Sequence, residues 1–206
     1  MGYLIKNWAY VGLLLLQHLW LTGSAIAIAV VFALPVGVLL ARVAWLRGPV
    51  LGVLGVLYTI PSLSLLVLLI PVLRLGYWPA VVTLVIYAQV ILVRNIVVGL
   101  VGIDPAVIDA ARGMGMSNWQ RLVQVELPLA LPLLLAGLRI VTLSTIAIAT
   151  VAAFVNAGGL GTLLFDGVRT SNHEKIVVGA VAVALLAIGA NALLRRAELW
   201  AQPRRG

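Results

Sequence analysis

The chain has 206 residues, of which 63% are hydrophobic and 10% are charged, and it carries 14 Lys and Arg against 6 Asp and Glu. Soluble domains have about 25% charged residues, so this chain has too little polar surface for a water-soluble globule and is expected to be an integral membrane protein. The absence of cysteine excludes a disulfide scaffold. A basic excess in a membrane protein records the loops that stay in the cytoplasm, so the net charge of +8 does not indicate a nucleic acid partner.

Five apolar segments are long enough to cross a bilayer, for which a helix needs roughly 20 residues. Charges and turn residues delimit them to residues 19–41, 50–72, 78–99, 131–155 and 176–194. The first 18 residues are also apolar but too short for a span, so we expect an N-terminal interfacial or partly inserted helix there. A cleaved signal peptide is the competing interpretation. The pattern predicts an all-α membrane protein with about five transmembrane helices.

The distribution of basic residues predicts the orientation, because loops rich in Lys and Arg stay in the cytoplasm. Ten of the 14 basic residues lie in or close to the loops that follow the first, third and fifth spans. The other four lie on the opposite side: Lys6, Arg74, Arg169 and Lys175. The N-terminus is therefore expected outside and the C-terminus inside. Residues 19–198 form the predicted transmembrane domain and residues 199–206 a cytoplasmic basic tail.

Two prolines, Pro35 and Pro61, lie inside predicted spans, where each removes a backbone hydrogen bond. Polar side chains surround Pro61, namely Tyr58, Thr59, Ser62 and Ser64. One interpretation is a kinked second span that lines a transport pathway. The other is that the hydroxyl groups bond back to their own helix and repair the kink.

The one long polar segment, residues 102–128, is predicted to contain two short helices. Asp104 is a good N-cap with Pro105 at the first helical position, so a helix should run to about Arg112, where glycines end it. Ser117 and Gln120 have the spacing of a capping box, so a second helix should begin there and run until Pro128. The result is a compact pair of helices joined at a glycine elbow.

This segment resembles the EAA motif of permease subunits of bacterial ABC importers. Asp109-Ala110-Ala111 is followed after three residues by Gly115, after nine more by Val125, and after one more by Leu127-Pro128. Asp109 replaces the usual Glu and Val125 the frequent Ile. The resemblance implies that this elbow docks on an ATPase, with contacts from Asp109, Ala110, Ala111, Gly115, Met116, Leu127 and Pro128.

Further segments resemble the osmoprotectant branch of these permeases, which imports glycine betaine, choline and carnitine. They include residues 58–65 (YTIPSLSL), 84–87 (LVIY), 111–116 (ARGMGM), 125–132 (VELPLALP) and 158–161 (GGLG). The resemblance implies a type I ABC importer permease fold, a second permease copy or paralogue, two cytoplasmic ATPase subunits and an extracytoplasmic substrate-binding protein. The sequence has no GxxxxGK[ST] loop, so ATP and Mg²⁺ are expected on the partner ATPase, with no cofactor on this chain.

Candidate pathway residues are uncharged polar side chains in the second and third spans: Tyr58, Ser62, Tyr87, Gln89 and Asn95. An uncharged lining suits a zwitterion or cation that must pass without being held. The alternative is that Tyr87 and Gln89 form contacts between helices, as polar side chains in membrane spans often do.

Residues 156–175 combine a glycine run with charged side chains, which predicts a tight turn or re-entrant bend at a gate or docking face, or else a solvated connector. His18 and His173 have no companion ligands at metal-binding spacing, so no metal site is expected. Three alternatives to an osmoprotectant permease stay open: a permease for methionine or another small solute, a stand-alone carrier or channel, and a membrane enzyme. The scattered acids disfavour the enzyme, and five unequal spans disfavour a carrier with inverted repeats.

Overall fold

The structure, a computed structural model, describes residues 2–201 and is helical in all its regular elements, with no strand within these residues. A π-helical turn, Leu122–Glu126, precedes α8, and a 3₁₀ turn, Ala153–Val155, follows it. Of the predicted basic tail, residues 202–206 lie outside the described part of the chain. The α-helices in chain order are α1 (Gly2–Lys6), α2 (Trp8–Arg42), α3 (Ala44–Thr59), α4 (Ser62–Leu73), α5 (Tyr77–Val101), α6 (Pro105–Gly113), α7 (Asn118–Arg121), α8 (Leu127–Ala152), α9 (Gly161–Arg169) and α10 (His173–Ala201).

The five predicted spans correspond to four long apolar helices and one bent pair. The long ones are Trp8–Arg42, Tyr77–Val101, the continuous stretch Asn118–Val155, and His173–Ala201. The bent pair is α3 with α4, whose axes differ in direction by 93°. The described residues therefore hold four spans, or five if the bent pair counts as one.

The first span differs from its predicted boundaries, because α2 continues without a break through residues 8–42. A helix of 35 residues is about 52 Å long, well above the roughly 30 Å of the hydrocarbon core. The helix expected within residues 1–18 is therefore not separate from the first span, because residues 8–18 belong to α2. Only α1 is separate from this helix, and Asn7, whose Nδ2 donates to the Tyr3 carbonyl at 3.0 Å, marks the break.

The kink predicted at Pro61 is confirmed, and it is sharper than a bend within one helix. The helix ends at Thr59, Ile60 and Pro61 adopt extended backbone conformations, and α4 begins at Ser62. Proline cannot donate a backbone hydrogen bond and disfavours a helical conformation at the residue before it. Residues 50–72 are therefore two helices. Pro35, by contrast, lies on an exposed face of α2 and does not interrupt it.

A stripe of small residues lets α2 pack closely on the central helix α5. Ala25, Ala29, Ala33 and Gly37 recur at every fourth position and are all buried. A β-carbon on Gly37 would lie 2.5 Å from Cγ2 of Ile96, so the two helices could not approach this closely with a larger residue there. In a membrane, where lipid is as apolar as the helix, such close packing is a main source of helix association.

The sequence predicted that the second helix of the polar segment ends at Pro128. In the structure the helix continues past this residue. Pro128 lies in the first turn of α8, directly after the π-helical turn. The helical path therefore runs from α7 through the π-helical turn into α8, and the fourth span begins earlier than residue 131. The elbow, defined from here on as residues 104–121, is thus continuous with a long membrane helix.

Candidate coupling elbow and translocation pathway

The elbow has the caps that its sequence predicts. Asp104 accepts a hydrogen bond from the Ala106 N–H at 2.8 Å, which begins α6. Ser117 Oγ accepts from the Gln120 N–H at 3.2 Å, and Gln120 Oε1 accepts from the Ser117 N–H at 2.8 Å, which completes the capping box. Between the helices, Gly115 has a φ of +76°. Because side chains with a β-carbon rarely adopt this conformation, the glycine sets the angle of the elbow.

The predicted coupling residues do not all lie on the surface of the elbow. Asp109, Ala110 and Gly115 are exposed, whereas Ala111 is only 2% exposed. The Ala111 carbonyl accepts the Met116 N–H at 3.2 Å, and the Met116 side chain is half-buried. Farther along the chain Leu127 is half-buried and Pro128 exposed, both on α8. The elbow therefore presents Asp109, Ala110 and Gly115, while Ala111 belongs to its interior.

Two exposed apolar side chains on the elbow were not singled out from the sequence. Met114 is 74% exposed and Trp119 is 71% exposed, on either side of Gly115. Large apolar side chains in an otherwise polar segment are a typical signature of a protein contact. The signal in the sequence that could have identified them was their position near the glycine turn.

An ion-pair network lies behind the elbow, and its central residue, Glu126, was also missed. Glu126 Oε1 accepts from Arg121 Nε at 2.7 Å, and Oε2 accepts from Arg42 Nη2 at 2.7 Å. The side chains of Glu126 and Arg121 are 3% and 6% exposed, whereas that of Arg42 is 37% exposed. The signal in the sequence was one acidic residue inside an apolar run, since a buried charge is costly unless it is paired.

At the break between α3 and α4, the structure brings two of the predicted pathway residues together. The ring centroids of Tyr58 and Tyr87 are 5.3 Å apart. Tyr87 is buried and its hydroxyl donates to the Ile60 carbonyl, which lies at the break in the helix. Tyr58 is 41% exposed and Ser62, at the start of α4, is half-buried. The break therefore carries an exposed tyrosine ring that is held in place by a buried one.

Gln89 and Asn95 contact other helices rather than this break. Gln89 Nε2 donates to the Ala29 carbonyl of α2 at 3.0 Å. Asn95 Nδ2 donates to the Ile91 carbonyl of its own helix at 2.8 Å, and its side chain lies against Gly137 of α8, where a β-carbon would be 2.7 Å from the Asn95 Cβ. Gln89 therefore makes the contact between helices that the alternative interpretation describes for it, whereas Asn95 bonds within its own helix and packs against α8.

The glycine run forms a tight turn that packs on α2. Gly158 and Gly159 have φ values of +78° and +81°. The Gly159 N–H donates to Gln17 Oε1 at 3.1 Å, and the Leu160 N–H donates to His18 Nδ1 at 3.3 Å. The His18 side chain is fully buried, and its Nε2 is 3.2 Å from the Ile146 carbonyl of α8, to which it donates when Nδ1 accepts. One imidazole therefore joins α2, α8 and the turn.

Beyond this turn, α9 and α10 are joined by a small charged cluster. Lys175 Nζ donates to Asp166 Oδ2 at 2.7 Å, and Arg169 Nη2 donates to Asp166 Oδ1 at 2.6 Å. These two hydrogen bonds and the positive charges that make them hold the pKa of the Asp166 carboxyl below its ordinary value. The cluster lies at the end of the bundle opposite to the elbow, since α2 extends from one to the other.

Comparison with known proteins shows the family. A family model described as "Binding-protein-dependent transport system inner membrane component" matches residues 29–205. The osmoprotectant import permease protein OsmW of Salmonella typhimurium is 39% identical over 207 residues, which cover 98% of this chain and 96% of that protein. The carnitine transport permease protein OpuCB of Listeria monocytogenes is 39% identical over 188 residues, which cover 91% of this chain and 86% of that protein.

The fold also matches a solved transporter. A permease chain of the MetNI methionine ABC transporter, in an inward-facing conformation, superimposes with a TM-score of 0.83 at 26% identity, covering 90% of this chain and 93% of that one. This likeness confirms the expected type I ABC importer permease fold. The chain therefore belongs to the family of inner membrane components of binding-protein-dependent transport systems, as a multi-pass permease subunit of an ABC importer.

Proposed function

We propose that this chain forms the translocation pathway of an ATP-driven importer for quaternary ammonium osmoprotectants such as glycine betaine, choline and carnitine. The observation that carries the proposal is the 39% identity to OsmW over almost the whole length of both chains. The choline transport system permease protein OpuBB of Bacillus subtilis is also 36% identical over 88% of this chain.

The chemistry at the helix break agrees with this substrate class. Tyr58 and Tyr87 supply a pair of adjacent aromatic rings. A quaternary ammonium group is attracted to the face of such a ring by cation–π interaction. Tyr58, Ser62, Tyr87, Gln89 and Asn95 remain our candidates for the pathway, with the tyrosine pair as the strongest.

The elbow is proposed to couple the pathway to ATP hydrolysis. Two cytoplasmic ATPase subunits would each bind one elbow, one on this chain and one on a second copy or paralogue. Exposed Met114 and Trp119 supply apolar contact area, while Asp109, Ala110 and Gly115 allow close approach. ATP and Mg²⁺ bind on the ATPase, and its closure would displace the elbow and the long helix α8 that continues from it.

The proposed orientation places the elbow in the cytoplasm and the N-terminus outside. Arg42, Arg112 and Arg121 all lie at the elbow end of the bundle, as the positive-inside rule requires for a cytoplasmic side. The opposite end, with the glycine turn and α9, then faces a separate extracytoplasmic substrate-binding protein. The second permease would cover α3, on which no residue is fully buried within this chain.

An uptake assay tests the proposal. The chain would be co-expressed with its ATPase and binding protein, and ATP-dependent uptake of labelled glycine betaine, choline and carnitine measured in membrane vesicles. Uptake should require all three proteins and stop in a hydrolysis-deficient ATPase variant. Uptake that continues without the ATPase would overturn the importer assignment.

The same vesicles decide between substrate classes. Because the MetNI permease is similar at 26% identity, methionine is the matched alternative substrate. Binding-protein titration with glycine betaine, choline, carnitine and methionine, together with uptake of each, should favour the quaternary ammonium compounds. Preference for methionine would overturn the substrate class and leave the permease assignment intact.

A further inference from the structure

Glu126 connects three parts of the molecule that are far apart in sequence. Its Oε1 binds Arg121 at the end of the elbow, and its Oε2 binds Arg42 at the last residue of α2. Glu126 is the last residue of the π-helical turn, directly before α8. A single buried carboxylate therefore joins the elbow to both of the membrane helices beside it.

We propose that Glu126 is a positioning residue that makes the elbow and the end of α2 move as one body during transport. This inference rests on the proposed coupling of the elbow to an ATPase and adds the route by which displacement reaches the pathway. Without Glu126, movement of the elbow would reach α8, which continues from it, but would reach α2 only through apolar packing.

The π-helical turn explains why Glu126 points towards the two arginines. The Leu127 N–H bonds to the Leu122 carbonyl, five residues back, so the turn holds one residue more than an α-helical turn. One extra residue rotates the later part of the helix by about 100° around its axis. The wider turn lies just before Pro128, whose ring would clash with the carbonyl of Gln124 in a regular α-helix. The local sequence thus favours the geometry that the ion pairs need.

The end of α2 is in turn attached to the helix that leads to the pathway. Arg47 of α3 donates from Nε to the Leu40 carbonyl and from Nη2 to the Ala41 carbonyl, both at 2.6 Å. These bonds use the carbonyl groups that the end of a helix leaves free. The contacts run from the elbow through Glu126 and the end of α2 to α3, which ends at the break beside Tyr58.

Buried ion pairs are poor sources of stability, because desolvation offsets their attraction. Apolar residues in the place of Glu126, Arg121 and Arg42 could pack equally well. They would not fix one position of the elbow relative to the end of α2. A role in fixing that position explains why each oxygen of the Glu126 carboxylate accepts a hydrogen bond from a different arginine. The pair Arg139–Glu198, which joins α8 to α10 at 3.3 Å without contacting the elbow, serves as the matched control.

The first experiment measures ATP hydrolysed per substrate imported by the complex of this chain with its ATPase and binding protein in liposomes. Glu126→Gln should lower uptake about tenfold, a typical size for coupling between sites, with little change in ATP hydrolysis, so the ratio rises. Glu198→Gln should keep the ratio of the unmodified chain. If Glu126→Gln fails to fold, Arg42→Gln replaces it as the test variant. Arg42→Gln removes only the contact between Glu126 and α2 and keeps the buried Arg121–Glu126 pair. It should also raise the amount of ATP hydrolysed per substrate imported.

The second experiment measures movement directly, and the absence of native cysteine makes it simple. Spin labels at cysteines introduced for exposed Leu39 on α2 and exposed Asn118 on α7 report the distance between α2 and the elbow. In the unmodified complex this distance should stay constant when ATP is trapped, and in Arg42→Gln it should change. An unchanged hydrolysis ratio in both variants, or a distance that changes equally with and without Arg42, overturns the inference. If no osmoprotectant is imported at all, the proposed substrate fails, while the distance still decides the role of Glu126.

Discussion

Gly159 lies directly against His18, so that a β-carbon on this glycine would be 3.0 Å from the imidazole Nδ1 and 3.4 Å from the His18 Cα. The glycine also has a φ of +81°, in the left-handed region. Both the turn and the close approach therefore require glycine. The contact holds the turn on α2, where His18 also reaches the Ile146 carbonyl of α8.

Gly159→Ala should destabilise the protein by about 1–3 kcal/mol, the usual range for a strained backbone conformation, because the methyl group must displace the buried histidine. The measurement is thermal unfolding of the detergent-solubilised chain. Gly189→Ala is the matched control, since a β-carbon there would have no atom from another helix within 4 Å and alanine favours a helix. Equal melting temperatures for the two variants would contradict this account of the turn.

Tyr87→Phe removes the hydroxyl that satisfies the Ile60 carbonyl at the helix break. A buried or half-buried carbonyl without its donor costs about 1–3 kcal/mol, so both the melting temperature and the rate of substrate uptake should fall. Tyr10→Phe, which changes a side chain that is 43% exposed, should leave the melting temperature unchanged. If Tyr87→Phe melts like the unmodified chain, the hydroxyl does not stabilise the break.

Gly115→Glu should insert into the membrane but no longer co-purify with the ATPase, because it adds bulk, charge and backbone strain to the surface of the elbow. A β-carbon there would contact nothing, so the substitution leaves the packing within the chain intact, but the φ of +76° remains unfavourable. Gly115→Asn separates the two effects, since asparagine tolerates this conformation, and it should retain more ATPase than Gly115→Glu. Full association of Gly115→Glu would show that the ATPase contact lies elsewhere.

The cluster around Asp166 should loosen in acid. Its pKa is lowered by Lys175 and Arg169, so the stability it contributes is complete above the unfolded pKa and is lost as the pH falls through the lower folded value, below 3.8. Asp166→Asn should therefore flatten the dependence of the melting temperature on pH below about pH 4. Because these side chains are partly exposed, the effect should be small and should shrink further in salt. An unchanged pH dependence in Asp166→Asn would contradict the assignment.

Local sequence signals predicted much of the elbow and of the bent span. Asp104, Ser117 and Gln120 cap helices through contacts with residues at most three positions away. Pro61 breaks its helix through its own ring. Apolar runs indicate spans because bilayer thickness sets their length. These features depend on neighbours in the chain, so the chain alone determines them.

Hydropathy could not set the ends of α2 or α8. An apolar run ends at a polar residue, but a helix continues through it when the side chain has a partner, as Gln17 and His18 do in the glycine turn. Pro128 was expected to end a helix because proline often does, whereas it lies in the first turn of α8, which continues from the π-helical turn.

The sequence by itself determined that this protein spans a membrane, that its second span breaks at Pro61, and which polar segment forms the elbow, because hydropathy, proline and capping residues act over a few positions. Only the tertiary structure decided that Glu126 joins Arg42 to Arg121, that Gln89 binds α2, and that Gly159 needs His18 beside it. Each of those contacts joins side chains or backbone on different elements. Their partners are chosen by how the helices rotate and pack, and the spacing of residues along the chain carries no record of that rotation.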